Sequence, residues 1–105
     1  MFKIVQNPTF KHPVKIRVPV DGGFANQEFT ATFRVEPWDE VKALDSDPAG
    51  QLRRVFVGWE GITDDGDKPI PYSDAVRDQL IGLLYVRVAL LRTYVEAITG
   101  AARGN

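Results

Sequence analysis

Apolar positions along this chain fall into two regimes, strict alternation in its first third and three-and-four spacing in its last quarter. Residues 14–20, VKIRVPV, put Val14, Ile16, Val18 and Val20 on one face and Lys15, Arg17 and Pro19 on the other, the pattern of a half-exposed strand. Proline cannot donate to a ladder, so Pro19 predicts that the amide side of this strand faces an open edge. Residues 27–35 alternate equally well, with Phe29, Ala31, Phe33 and Val35 inward and Glu28, Thr30, Thr32 and Arg34 outward. Asp21, Gly22, Gly23 and Asn26 supply turn chemistry, and the expected product is an antiparallel pair joined by a connection longer than two residues. A two-stranded ribbon is marginal by itself, and Phe2, Ile4 and Val5 are the candidate third strand.

Beyond Pro37 the pattern turns helical. Residues 37–44, PWDEVKAL, suit two turns with Asp39 and Glu40 near the positive N-terminal end. Asp47 and Pro48 are a helix start, N-cap then first position. Over residues 48–60, Leu52, Val55, Phe56 and Trp59 fall at i, i+3, i+4 and i+7, with Gly58 weakening the helix and Gly61 ending it. The turn-rich residues 63–72 lead to Ser73, which caps the last element.

Residues 73–100 carry the densest apolar pattern in the chain. Ile81, Leu84, Val88, Leu91, Val95 and Ile98 form one stripe, while Leu83, Val86, Leu90, Tyr94 and Ala97 lie on other faces. Arg87, Arg92, Thr93 and Glu96 are too few to shield such a helix, which must be covered on more than one side. Gly82 is its weak point, where a bend or break would fall. The fold class read from this order is α+β: an N-terminal antiparallel β-hairpin, with the candidate third strand, then three or four helices, the last long and strongly apolar. One domain covers residues 1–105.

Composition narrows the function classes. Apolar content of 44% and charged content of 26% are ordinary for a globular domain, and a net charge of -1 gives no general attraction to nucleic acid or an anionic membrane. No cysteine is present, which removes disulfides, thiolate nucleophiles and cysteine metal sites and agrees with a reducing compartment. No stretch reaches the roughly 18 apolar residues needed to span a bilayer, and the opening residues lack the apolar core of a secretory signal. A cytoplasmic protein is expected.

No catalytic constellation emerges. His12 is the only histidine and has no second histidine or cysteine with which to share a metal. Asp64, Asp65 and Asp67 around Gly66 make part of a calcium-loop pattern but lack its terminal glutamate, and turn chemistry explains them. Asp39, Glu40 and Glu60 have nothing to bring two of them into one desolvated pocket. Gly22 and Gly23 precede no helix start, so they form no phosphate loop. Lys11, Lys15, Arg17 and Arg34 make a basic outer face that Glu28, Thr30 and Thr32 dilute. No catalytic, metal-binding or cofactor-binding residue is assigned.

Two features remain. The stripe over residues 81–98 has the Ile/Val and Leu alternation of a two-stranded pairing; it either packs on the domain's own sheet, which is commoner for fewer than three heptads, or meets a partner. If it packs on the sheet, Leu83, Val86 and Leu90 are left needing other cover. Trp59, between Gly58 and Gly61 and close to Arg53 and Arg54, is either core or an interface anchor.

The segment order completes the reading. The Phe-rich second strand ending FRVEPW, then Val57-Gly58-Trp59-Glu60-Gly61-Ile62 followed by Asp65-Gly66, the Pro-Tyr-Ser helix start, and Tyr85, Ala89 and Leu90 near the end resemble the small tail assembly chaperones of long-tailed bacteriophages and prophages. The likeness covers essentially the whole chain. It implies a non-enzymatic protein of the bacterial host cytoplasm, absent from the mature virion. Such a protein binds the tape measure protein, keeps it soluble while tail tube protein polymerises around it, and self-associates. A role for Trp59, Leu84, Val88 and Leu91 as partner-facing positions is the matching expectation. The rival reading is a structural tail or head-tail component retained in the virion, adding subunits along strand 14–20 or 27–35.

Overall fold

In the computed structural model of the chain, residues 1–6, 8–37 and 46–100 are described. Two twelve-residue strands, β1 (Thr9–Val20) and β2 (Gly23–Arg34), form a long antiparallel hairpin. The expected inward faces hold: Val14 and Ile16 on β1 and Phe29, Ala31 and Phe33 on β2 are buried. Val20 and Val35 lie beyond the covered part of the sheet and are exposed. The connection is shorter than expected, because Val20 already pairs with Gly23 and only Asp21 and Gly22 intervene. Gly22, at φ +76, takes the left-handed conformation that this tight turn requires.

The third strand is β3, Phe56–Glu60, in the sheet order β1-β2-β3. Residues 1–6 form no strand, and Phe2, at 86% relative exposure, is fully open with Ile4 beside it. The helix expected over residues 48–60 is accordingly two elements, α1 (Pro48–Val55) and then β3. A bulge explains the misleading spacing. Phe33 pairs with Phe56 and Thr32 with Gly58, so Val57 is the extra residue, and Phe56 and Trp59 reach the same face although three apart. Gly58 permits the close approach of the strands, since a Cβ there would sit 3.3 Å from that of Thr32.

Helix α1 starts as its sequence predicts, with the Asp47 carboxylate accepting from the Gly50 amide at 3.1 Å and Pro48 in the first turn. A second helix, α2 (Asp74–Gly82), is capped by Ser73, whose Oγ accepts from the Val76 amide at 3.2 Å. A third, α3 (Leu84–Thr99), ends at Gly100 in the left-handed conformation. Three helices are thus present among the described residues; the expected helix over residues 37–44 falls almost wholly outside them.

The long apolar last helix of the sequence reading is corrected: it is broken. Leu83 is extended between α2 and α3 and serves both as the C-cap of one and the N-cap of the other. Gly82 lowers the cost of leaving the helix there. Leu83 itself stays bonded at the break: its amide donates to the Leu80 carbonyl at 3.1 Å and its carbonyl accepts from the amides of Val86 (3.0 Å) and Arg87 (2.8 Å). The Arg87 Nε donates to the Ile81 carbonyl at 2.9 Å. The break turns Ile81 into the core while Leu83 and Leu84 point outward.

The core lies between one face of the sheet and the helices, with Leu52, Val55, Ile81, Val86, Ala89, Leu90 and Tyr94 set against Val14, Phe29, Phe33, Phe56 and Trp59. Phe33 is its centre, tilted against Phe10 (5.7 Å between centroids) and Phe56 (6.1 Å) and edge-on to Tyr94 (5.3 Å).

Candidate functional site

Helix α3 has two apolar faces, and the chain covers one. Val86, Ala89, Leu90, Thr93 and Tyr94 are buried. On the opposite side Leu84 is 71% exposed, Val88 49% and Val95 41%, with Leu91 and Ile98 partly buried between and beyond them. The sequence reading that set the stripe of residues 81–98 on the domain's own sheet is therefore inverted for α3: Val86 and Leu90, read as surplus, make the core. Leu83, the other surplus residue, is exposed.

The four residues expected to face a partner separate accordingly. Leu84 and Val88 stand in solvent on the open face, and Leu91 is half-covered on the same line. Trp59 belongs to the core instead. It is 9% exposed, its ring lies against Phe56 (5.4 Å) and Tyr72 (5.0 Å), and its Nε1 donates to the Ile70 carbonyl at 2.8 Å.

That hydrogen bond organises residues 62–70. The Ile70 amide donates to the Ile62 carbonyl, and Thr63 bridges Pro69. The Asp64 carboxylate accepts from the amides of Gly66 (2.8 Å) and Lys68 (3.1 Å), and Asp67 takes a positive φ of 60°. The acidic run is turn chemistry, as expected. The Tyr72 hydroxyl donates to Asp74 and accepts from Arg77, and burial is the main cause that raises its pKa.

Charge around α3 is unevenly balanced. Lys11 pairs with Glu60 at 2.6 Å, Arg34 and Arg54 share Glu36 at 3.2 and 3.4 Å, and Arg53 and Arg77 meet on Asp78 at 3.6 and 3.0 Å. Lys15, Arg17, Arg87 and Arg92 have no carboxylate partner among the described residues. The Arg17 guanidinium lies 4.9 Å from the centre of the Phe24 ring, and Arg92 donates to the Lys15 carbonyl at 3.3 Å while its Nε is buried without a partner.

Arg92 also marks the free edge of β1. Its bond to Lys15 fixes which carbonyls point away from β2, and Pro13 and Pro19 share that parity, so their missing N–H groups lie on the open edge. The expectation for Pro19 holds. Residues 30–33 of β2 are paired on both sides, with β1 and β3, whereas residues 27–29 are paired with β1 alone.

His12 sits at the surface with Nδ1 2.9 Å from the Pro13 carbonyl. Among the described residues no group of three or more His, Asp or Glu is placed to hold a metal ion, and no helix is long and apolar enough to cross a membrane. Sequence reasoning missed that Arg17 and Arg92, on different elements 75 positions apart, line one opening at the edge of the sheet; the lone signal was the alternation that put Arg17 outward on an edge strand. In comparisons with known proteins, no family model, no curated sequence and no solved structure matches the chain.

Proposed function

We propose that this protein is a non-enzymatic tail assembly chaperone that binds the tape measure protein of a long-tailed phage or prophage. It keeps that protein soluble while tail tube protein polymerises around it. The observation that supports this reading best is the open face of α3, where Leu84, Val88 and Val95 form a line of apolar side chains that the domain leaves uncovered. A tape measure protein is a long helix-rich chain with apolar stripes, and a small domain offering one apolar helical face matches such stripes segment by segment. Modest affinity at each site, repeated along one chain, coats it strongly yet leaves each copy displaceable by incoming tube subunits.

The test is co-expression with the long helical protein encoded just downstream. Solubilisation of that protein, with many copies of this chain co-purifying and none retained in finished particles, is the expected result. An insoluble partner together with this chain in purified particles would replace the proposal with a structural component of the tail.

A further inference from the structure

The open face of α3 is bordered by cations that form no ion pair among the described residues. By helical spacing Arg87 and Arg92 flank the line of Leu84, Val88, Leu91 and Val95 on opposite sides. On the Arg92 side, Arg17 of β1 joins it around an opening of about 190 Å³ that Tyr85, Val88 and Ala89 also line. Lys15 adjoins in the neighbouring recess, where Glu28 stands opposite it in the ladder and forms no ion pair among the described residues, and it shares a further opening with Glu96. Five other cations of the described residues are matched with Glu36, Glu60, Asp74 or Asp78. Of the six that form no ion pair among the described residues, Lys3 and Lys68 lie elsewhere, and Lys15, Arg17, Arg87 and Arg92 lie on or beside α3 where the apolar side chains are exposed.

This arrangement disfavours a second copy as the occupant. In a side-by-side pair of α3 helices the charged residues flanking the seam are Arg87 and Arg92 in either direction, so arginine meets arginine. An occupant with carboxylates in those flanking positions gains where a second copy loses.

We infer that this face receives an amphipathic helical segment whose apolar side covers Leu84, Val88, Leu91 and Val95 and whose flanks carry carboxylates facing Arg17, Arg87 and Arg92. The inference rests on the proposed function for the source of that segment, a long helical protein, and specifies which of its stretches are bound: those with acidic flanks.

Two synthetic helical peptides with the same apolar positions, one with Glu and one with Lys at the flanks, test it by fluorescence anisotropy. The Glu peptide is expected to bind about tenfold more tightly at low salt, and the difference to shrink in 1 M salt. Lys15→Glu with Arg17→Glu, both on exposed positions, should reverse the preference, and Leu84→Asp should weaken both peptides; unchanged melting curves verify folding. Equal binding of the two peptides, or indifference to the Arg17 and Lys15 changes, overturns the inference. So does saturable binding of a single-stranded oligonucleotide that the Arg17→Glu change abolishes, which would assign the cations to phosphate.

Co-expression separates this from the proposed function. If wild type and all these variants solubilise the downstream protein equally, the inference fails and the function stands. If the Glu peptide binds as expected while that protein stays insoluble, the function fails and the inference stands.

Discussion

The hydroxyl of Tyr94 donates to the carbonyl of Arg34 at 3.0 Å, tying the second half of α3 to the last residue of β2. The same oxygen accepts from the Glu36 amide at 3.2 Å, so a fully buried side chain satisfies two backbone groups where the strand ends. Glu36 in turn holds Arg34 and Arg54. This junction sets the rotation of α3 about its axis and therefore which of its apolar faces remains open.

Replacing Tyr94 with Phe keeps the ring contacts and strands both backbone partners, at an expected cost of about 1–3 kcal/mol in denaturant unfolding. The variant also has a pH signature. Burial raises the Tyr94 pKa, with Glu36 adding to it against the opposing Glu36 amide and Arg34. The folded state thus holds this proton more tightly than the unfolded chain. The stabilisation is complete below the unfolded value of about 10 and is lost as pH rises from there through the higher folded value. The stability gap between wild type and Tyr94→Phe should be constant at neutral pH and narrow in alkali; a gap independent of pH would show that the hydroxyl is not desolvated.

Trp59→Phe removes the donor to Ile70 and part of the packing on Tyr72. The expected loss is about 1–3 kcal/mol, with faster amide exchange at Ile70 and Asp64, whose amides close the loop. Wild-type exchange rates in that loop would mean that residues 62–70 hold their shape without the indole.

The strands were readable because a period of two leaves no ambiguity about faces: Val14, Ile16, Phe29, Ala31 and Phe33 lie where alternation puts them. The helix starts at Asp47 and Ser73 were readable because capping is local chemistry. What failed was non-local. Phe56 and Trp59 reach one face through a bulge opposite Phe33 and Thr32, and a bulge imitates helical spacing. The orientation of α3 was hidden because the helix is apolar on nearly every side, and the choice of face falls to contacts such as that of Tyr94 with Arg34.

Gly82→Ala tests whether the break before α3 needs glycine. A Cβ at position 82 meets nothing within 4 Å, so the change should stabilise the protein by up to about 1 kcal/mol through helix propensity. Because Arg87 on the Ile81 carbonyl and the inward turn of Ile81 also hold the break, the Cα chemical shift of Leu83 should stay extended. A helical shift there would make Gly82 the sole cause.

The two faces of α3 should respond oppositely to the same substitution. Leu84→Asp and Val88→Asp place a charge where water already reaches, and each should change stability by no more than about 0.5 kcal/mol. Leu90→Asp, at a fully buried position against the sheet, forces an unpaired carboxylate into the core and should cost at least about 4 kcal/mol, enough to unfold a domain of this size. Leu91, half-covered at the boundary, should fall between them at about 1–2 kcal/mol. Thermal melting of the four variants ranks them, and the order matters more than any one value. If Leu84→Asp and Val88→Asp melt as low as Leu90→Asp, the face taken as open is packed in solution, and neither the chaperone reading nor the acidic-helix inference retains a surface on which to act.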